Sequence, residues 1–146
     1  MKYNMIVVGV DGSPNSLAAV RWAAELAGVL QSKVLAVHAL GLLEHLSPGD
    51  EPVPVEQHRQ EIRDRLEREW TAPLGSSAVA YDVELRYGPP VQALLQAAED
   101  ENADLIVVGT RGASGHSPIR LGSTSSQLTE LSTRPVVVIP MPTGTP

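Results

Sequence analysis

Three largely apolar runs rich in β-branched residues constrain this chain most: MIVVGV at 5–10, ADLIVVG at 103–109 and PVVVI at 135–139. A strand with one face in water alternates apolar and polar side chains. A strand that is apolar at nearly every position must be covered on both faces. The segment KVLAVHAL at 33–40 reads as another buried strand, and AVAYDVELRYG at 78–88 alternates and reads as a further one. Helical spacing fills the gaps. Ser13 suits a cap, Pro14 suits a first helical turn, and Leu17, Val20, Ala24, Ala27 and Leu30 follow on one face. Val55, Ile62, Leu66 and Trp70 mark a second apolar stripe. Its far side pairs Glu61 with Arg65 and Asp64 with Arg68, which is ordinary support for a solvated helix face. Pro89 and Pro90 open a third helix carrying Val91, Leu94, Leu95 and Ala98 on one side. Thr124 with Gln127 fits a capping box, and a short helix should run from there to near Leu131.

The order β-α-β-α-β-α-β-loop-α-β predicts an α/β protein with a parallel sheet, helices on both faces and right-handed crossovers. A length of 146 residues suits one domain, 1–146, with a frayed tail at 141–146. Phe is absent, so the core must be aliphatic. The net charge of −6 sets a field that repels nucleic acid and anionic membrane, and any phosphate must be held locally by amides and a few arginines. The absence of Cys excludes disulfides, thiolate catalysis and Cys-ligated zinc. No secretory h-region and no membrane-spanning apolar stretch is read, so the expected location is cytoplasmic. His38, His45, His58 and His116 lack metal-ligand spacing, so no protein metal site is expected, and no catalytic base or nucleophile is identified.

One segment has no apolar period: GTRGASGHSPIRLGSTSS at 109–126. A compact chain rarely carries so long a loop without a use for it. Ligands in open α/β sheets bind beyond the carboxyl ends of the strands, where the winding reverses. Two segments leave strands in the required manner, VGVDGS at 8–13 and VGTRGASG at 108–115. The glycines permit close backbone approach, so several amides can face one anion. Gly122 and Ser123 precede a helix whose first N–H groups favour negative charge. Thr124 and Ser125 add hydroxyls, and Arg111 and Arg120 add positive charge. The P-loop, the dinucleotide G-x-G-x-x-G fingerprint and the G-x-S-x-G elbow are all missing. Local physics leaves two readings open, a phosphate-binding loop or a merely flexible connection. Asp11 likewise reads as a nucleotide contact or as a helix cap, while Trp22 and Trp70 read as core.

Gly109, Gly112, nine residues, then Gly122 and Ser123 give G-x2-G-x9-G-[ST], which resembles the ATP-binding signature of the universal stress protein family. VGVDGSPNSLAAVRWAAELA at 8–27 resembles that family's opening, and ADLIVVGTRG and RPVVVIP resemble its fourth and fifth strands. The resemblance implies a three-layer, Rossmann-like sandwich, similar to adenine nucleotide alpha hydrolases, with a five-stranded parallel sheet ordered 3-2-1-4-5. It implies that Gly9, Val10 and Asp11 meet the adenosine, with Asp11 near the ribose, and that Ala39 offers backbone groups to the adenine edge. Gly109, Arg111, Gly112, Gly115, Gly122, Ser123, Thr124 and Ser125 would cradle the phosphates. Thr124 stands where the family often has an aliphatic residue, so its amide is the expected contact. Thr110 and Ala39 match by strand context only. The implied cofactor is ATP, with Mg²⁺ held mainly by the phosphates. The implied assembly is a homodimer through Val136–Ile139, whose short apolar edge strand would otherwise be exposed. The implied role is a nucleotide-dependent stress-response regulator or sensor with at most slow ATP hydrolysis. The alternatives are an ATP-dependent enzyme of related fold (an ATPase or nucleotidyl transferase) and a nucleotide-free interaction dimer.

Overall fold

The structure is a computed structural model and describes residues 2–40, 55–110 and 122–141. In chain order the elements are β1 (Met5–Gly9), α1 (Pro14–Leu30), β2 (Lys33–Leu40), α2 (Val55–Arg65), a π-helical turn (Leu66–Trp70) and α3 (Ala72–Gly75), followed by β3 (Tyr81–Tyr87), α4 (Pro90–Asp100), β4 (Leu105–Gly109), α5 (Ser123–Leu131) and β5 (Val136–Ile139). The five strands form one parallel sheet in the order β3-β2-β1-β4-β5, with β1 paired to β2 on one side and to β4 on the other. The expected strand order is therefore observed, and the winding reverses between β1 and β4.

The unbroken apolar run of β1 has a direct cause. Ile6 and Val8 point into the layer formed with α1, Leu66 and Leu74, while Val7 points into the layer formed with α4 and Leu128. All three are fully buried. Small side chains on α1 (Ala19, Ala23, Ala27) let the helix lie close on the sheet. Ser13 caps α1 by accepting the Ser16 N–H at 3.1 Å, and Pro14 fills the first turn, as expected.

Three local expectations give way. The first concerns the capping box. The N-cap of α5 is Gly122, and no side chain caps the helix. The Gly122 N–H is drawn to the Thr110 carbonyl, which sets Gly122 in an extended conformation and starts the helix at Ser123, ahead of Thr124. Secondly, the Ile62–Leu66–Trp70 stripe does not continue as one α-helix, because its last turn is π-helical. The buried Thr71 hydroxyl donates to the Leu66 carbonyl at 2.6 Å and so supports the widened turn. Thirdly, the charge pair formed along α2 and this turn is Arg63–Glu67 at 3.4 Å, in place of Glu61–Arg65 and Asp64–Arg68. Among the described residues no helix is long and apolar enough to cross a membrane.

Candidate functional site

β1 and β4 lie side by side and both end in glycine, Gly9 and Gly109. A Cβ on Gly9 would meet Leu94 Cδ1 at 3.0 Å, so this residue is small because α4 packs over it. Val10 turns its side chain into the core. Its N–H donates to the Val37 carbonyl at 2.9 Å, and its carbonyl accepts from His38 Nδ1 at 2.6 Å, which places the ring proton on Nδ1. With both backbone groups engaged, Val10 forms a floor and offers no free backbone donor.

Asp11 is exposed and shapes the turn that follows. Its Oδ1 accepts the Ser13 N–H at 2.9 Å, and its own N–H donates to Ser16 Oγ at 3.0 Å. This is an Asx turn, in which a side chain stands in for a backbone acceptor. Ser13, not Asp11, caps α1. Asp11 Oδ2 has no partner among the described residues. Gly12 takes a φ of +81°, and a Cβ there would lie 2.6 Å from Trp70 Cε2. Only glycine satisfies both the left-handed backbone and the space.

At the end of β4 the fit is equally close. A Cβ on Gly109 would sit 2.9 Å from the Asn15 carbonyl oxygen, so this glycine exists to let β4 approach the first turn of α1. The buried Asn15 donates through Nδ2 to Thr110 Oγ1 at 3.3 Å. The Thr110 N–H donates to the Ile139 carbonyl at 3.0 Å, and its carbonyl accepts both the Gly122 N–H and the Ser125 hydroxyl, the latter at 2.9 Å. A chain of contacts thus ties α1 to β4 and β4 to α5.

The Ser125 hydroxyl proton is engaged in that tie, so its amide is what it can present to a ligand. The first intrahelical bond of α5 runs from the Ser126 N–H to the Gly122 carbonyl. The amides of Ser123, Thr124 and Ser125 therefore have no acceptor within the helix, and the positive end of the helix dipole lies there. Ala39 contributes through strand parity. Lys33 donates to Asn4 and Val37 accepts from Val10, whereas Val34 and Leu40 bond toward β3. In a parallel ladder this alternation turns the Ala39 N–H and C=O toward β1, beyond Val10, the last residue that β1 offers as a partner. Of the expected phosphate residues, Arg111, Gly112 and Gly115 lie outside the described residues, as do Arg120 and His116.

Sequence spacing did not single out Asn15, Ser16, His38 or Trp70 as site residues. Trp70 falls on the i, i+4 stripe and reads as core. It is half-buried, packed against the core and also set beside Gly12 through Cε2, Cζ2 and Nε1. Its ring centroid lies 5.1 Å from that of His38. A cleft of about 280 Å³ opens beside it, between Gly12, Ser13 and Leu17 on one side and Glu69 on the other. Among the described residues no group of three His, Asp or Glu side chains is placed to hold a metal ion.

The sequence model of the universal stress protein family matches residues 2–140. Universal stress protein YxiE of Bacillus subtilis (strain 168) is 31% identical, over 94% of this chain and 99% of its own length. Among solved structures, universal stress protein UspA from Lactobacillus plantarum superposes with a TM-score of 0.79 at 26% identity, covering 95% of this chain and 99% of its own. A universal stress protein crystallised in complex with cAMP has a TM-score of 0.67 at 28% identity, over 97% of this chain and 100% of its own. With the sheet order, the paired glycine-ended strands and these likenesses together, the chain belongs to the universal stress protein family.

Proposed function

We propose that this protein binds an adenine nucleotide, ATP foremost, at the carboxyl ends of β1 and β4, and acts as a nucleotide-dependent regulator. The observation that carries the reading is the junction at Thr110. Its side chain holds the first turn of α1, which follows Asp11, and its carbonyl holds the uncapped start of α5, both on one strand end. One place then offers a carboxylate oxygen for a ribose hydroxyl and three helix amides for phosphate, none of these four partnered among the described residues. The Ala39 N–H and C=O supply the donor and acceptor that an adenine edge needs. Arg111, Gly112 and Gly115 complete the phosphate side in this reading. The cAMP-bound relative supports the choice of an adenine nucleotide. Mg²⁺ would be held mainly by the phosphates. The whole chain acts as one domain, and β5 pairs with its copy across a two-fold axis. β5 lies at the sheet edge, is half-buried along its length, and has the 60%-exposed Leu131 on the neighbouring helix.

The test is to denature freshly purified protein, identify the released small molecules, and titrate the nucleotide-free protein with ATP and with cAMP by calorimetry. Adenine nucleotide in the supernatant, or saturable binding of either, supports the reading. Neither release nor binding at millimolar nucleotide overturns it. Steady turnover of ATP that vanishes in Asp11→Ala would replace it with the ATPase alternative.

A further inference from the structure

Trp70 is the side chain that the nucleotide-binding reading leaves without a task. It ends the π-helical turn Leu66–Trp70, an irregularity that often accompanies function. The turn costs regular hydrogen bonding, and the buried Thr71 hydroxyl is used to support it. What it delivers is the placement of one indole. Three indole atoms, Cε2, Cζ2 and Nε1, lie within 2.9 Å of where a Gly12 Cβ would be. The ring also stands beside His38, at 59° between planes. His38 in turn holds the Val10 carbonyl.

Val10 and Gly12 are the two neighbours of Asp11. Gly12 lies against Trp70 itself, and Val10 is held by His38, whose ring stands beside the indole. The indole therefore fixes the backbone on both sides of the carboxylate that the site presents. It does so from a different segment of the chain, itself packed against the core. Such support from behind a contacting group is what preorganises a binding site.

We propose that Trp70 is a positioning residue for the nucleotide site, acting through Gly12 and His38 to set Asp11. The proposal rests on the adenine-nucleotide reading above and deepens it. Removing the indole lets the turn spread over several conformations, and binding must then select one. A side chain that merely stabilises the fold would lower the melting temperature without affecting the contribution of Asp11.

A double-mutant cycle separates these. ATP affinity is measured by calorimetry, well below the melting temperature, for wild type, Trp70→Ala, Asp11→Ala and the double variant. Trp70→Ala is expected to weaken ATP by about tenfold, and to have little further effect once Asp11 is gone. Trp70→Phe should recover most of the affinity, since an aromatic ring beside Gly12 and His38 is retained. Where Trp70→Ala does not fold, Trp70→Leu takes its place in the cycle. It keeps apolar packing on the core and removes the plate. Equal ATP affinity in wild type and the Trp70 variant overturns the proposal, as does the same loss with and without Asp11. Absence of any nucleotide binding by wild type overturns the functional reading itself and the proposal with it.

Discussion

Gly109→Ala tests the close approach of β4 to the first turn of α1. A methyl carbon rests about 3.5–4.0 Å from its neighbours. Built on Gly109, it lies 2.9 Å from the Asn15 oxygen, 3.0 Å from the Asn15 carbonyl carbon and 3.1 Å from the Asn15 Cβ. The first two are backbone atoms, which no rotamer change can move. β4 and the first turn of α1 must therefore part by about 0.6 Å or more to reach ordinary contact. The Asn15–Thr110 bond is already long at 3.3 Å, and such a shift carries it past the range of a hydrogen bond. Overpacking of this kind costs about 1–3 kcal/mol. For a chain of this size that lowers the melting temperature by about 2–12 °C. Gly28→Ala is the control. Gly28 lies within α1, and its Cβ would meet only Val79 Cγ2, at 4.0 Å. That substitution should raise stability by about 0.5–1 kcal/mol, because alanine loses less backbone entropy in a helix. Both variants are compared by thermal and urea unfolding. Gly109→Ala with wild-type stability would refute the argument that β4 needs glycine to approach α1.

Two further outcomes follow from other contacts. Ser125→Ala removes a buried hydroxyl from the Thr110 and Gly122 carbonyls. The Thr110 carbonyl keeps the Gly122 amide as a donor, so the loss should be about 0.5–1.5 kcal/mol by urea unfolding, with the start of α5 left in place. The Asp100 carboxyl is held below its ordinary value of 3.8, first by the Gln96 side-chain hydrogen bond and then by that of Arg86. Its folded value lies below its unfolded one. Its contribution is thus present in full above the ordinary value and is lost as pH falls through the depressed one. A carboxyl-carbon NMR titration should place the midpoint below 3.8, and Gln96→Ala should move it upward.

Much of this was legible because burial on two faces leaves a plain mark in sequence. The bounds of β2 match the apolar run at 33–40, and Ser13 with Pro14 announced α1. β3 starts later than the alternation from 78 predicts, because the alternating pattern begins three residues before pairing with β2 does, at Tyr81. The start of α5 was misplaced because a capping box is a local pattern, whereas Gly122 is set by a long-range bond to Thr110. The π-helical turn left no periodic trace. Ile62, Leu66 and Trp70 are spaced as in an α-helix, and the widening shows only in the bond from the Thr71 hydroxyl. At the site, the glycines were legible as glycines but not in their reasons. Gly109 and Gly9 are small to admit α1 and α4, and Gly12 answers to an indole more than fifty residues away in the chain.

The double acceptance at Thr110 has a consequence for how this chain can vary. Gly122 and Ser125 both bond one carbonyl, so residues 111–121 join two points that the fold has already brought together. The entropy of closing such a bridge changes slowly with its length, by about 0.6 kcal/mol per doubling. Stability therefore places little constraint on the number of residues there. Something other than the stability of the sheet then sets the nine-residue interval between Gly112 and Gly122, and under the proposed function insertions or deletions in it should change nucleotide affinity while leaving the melting temperature near that of wild type.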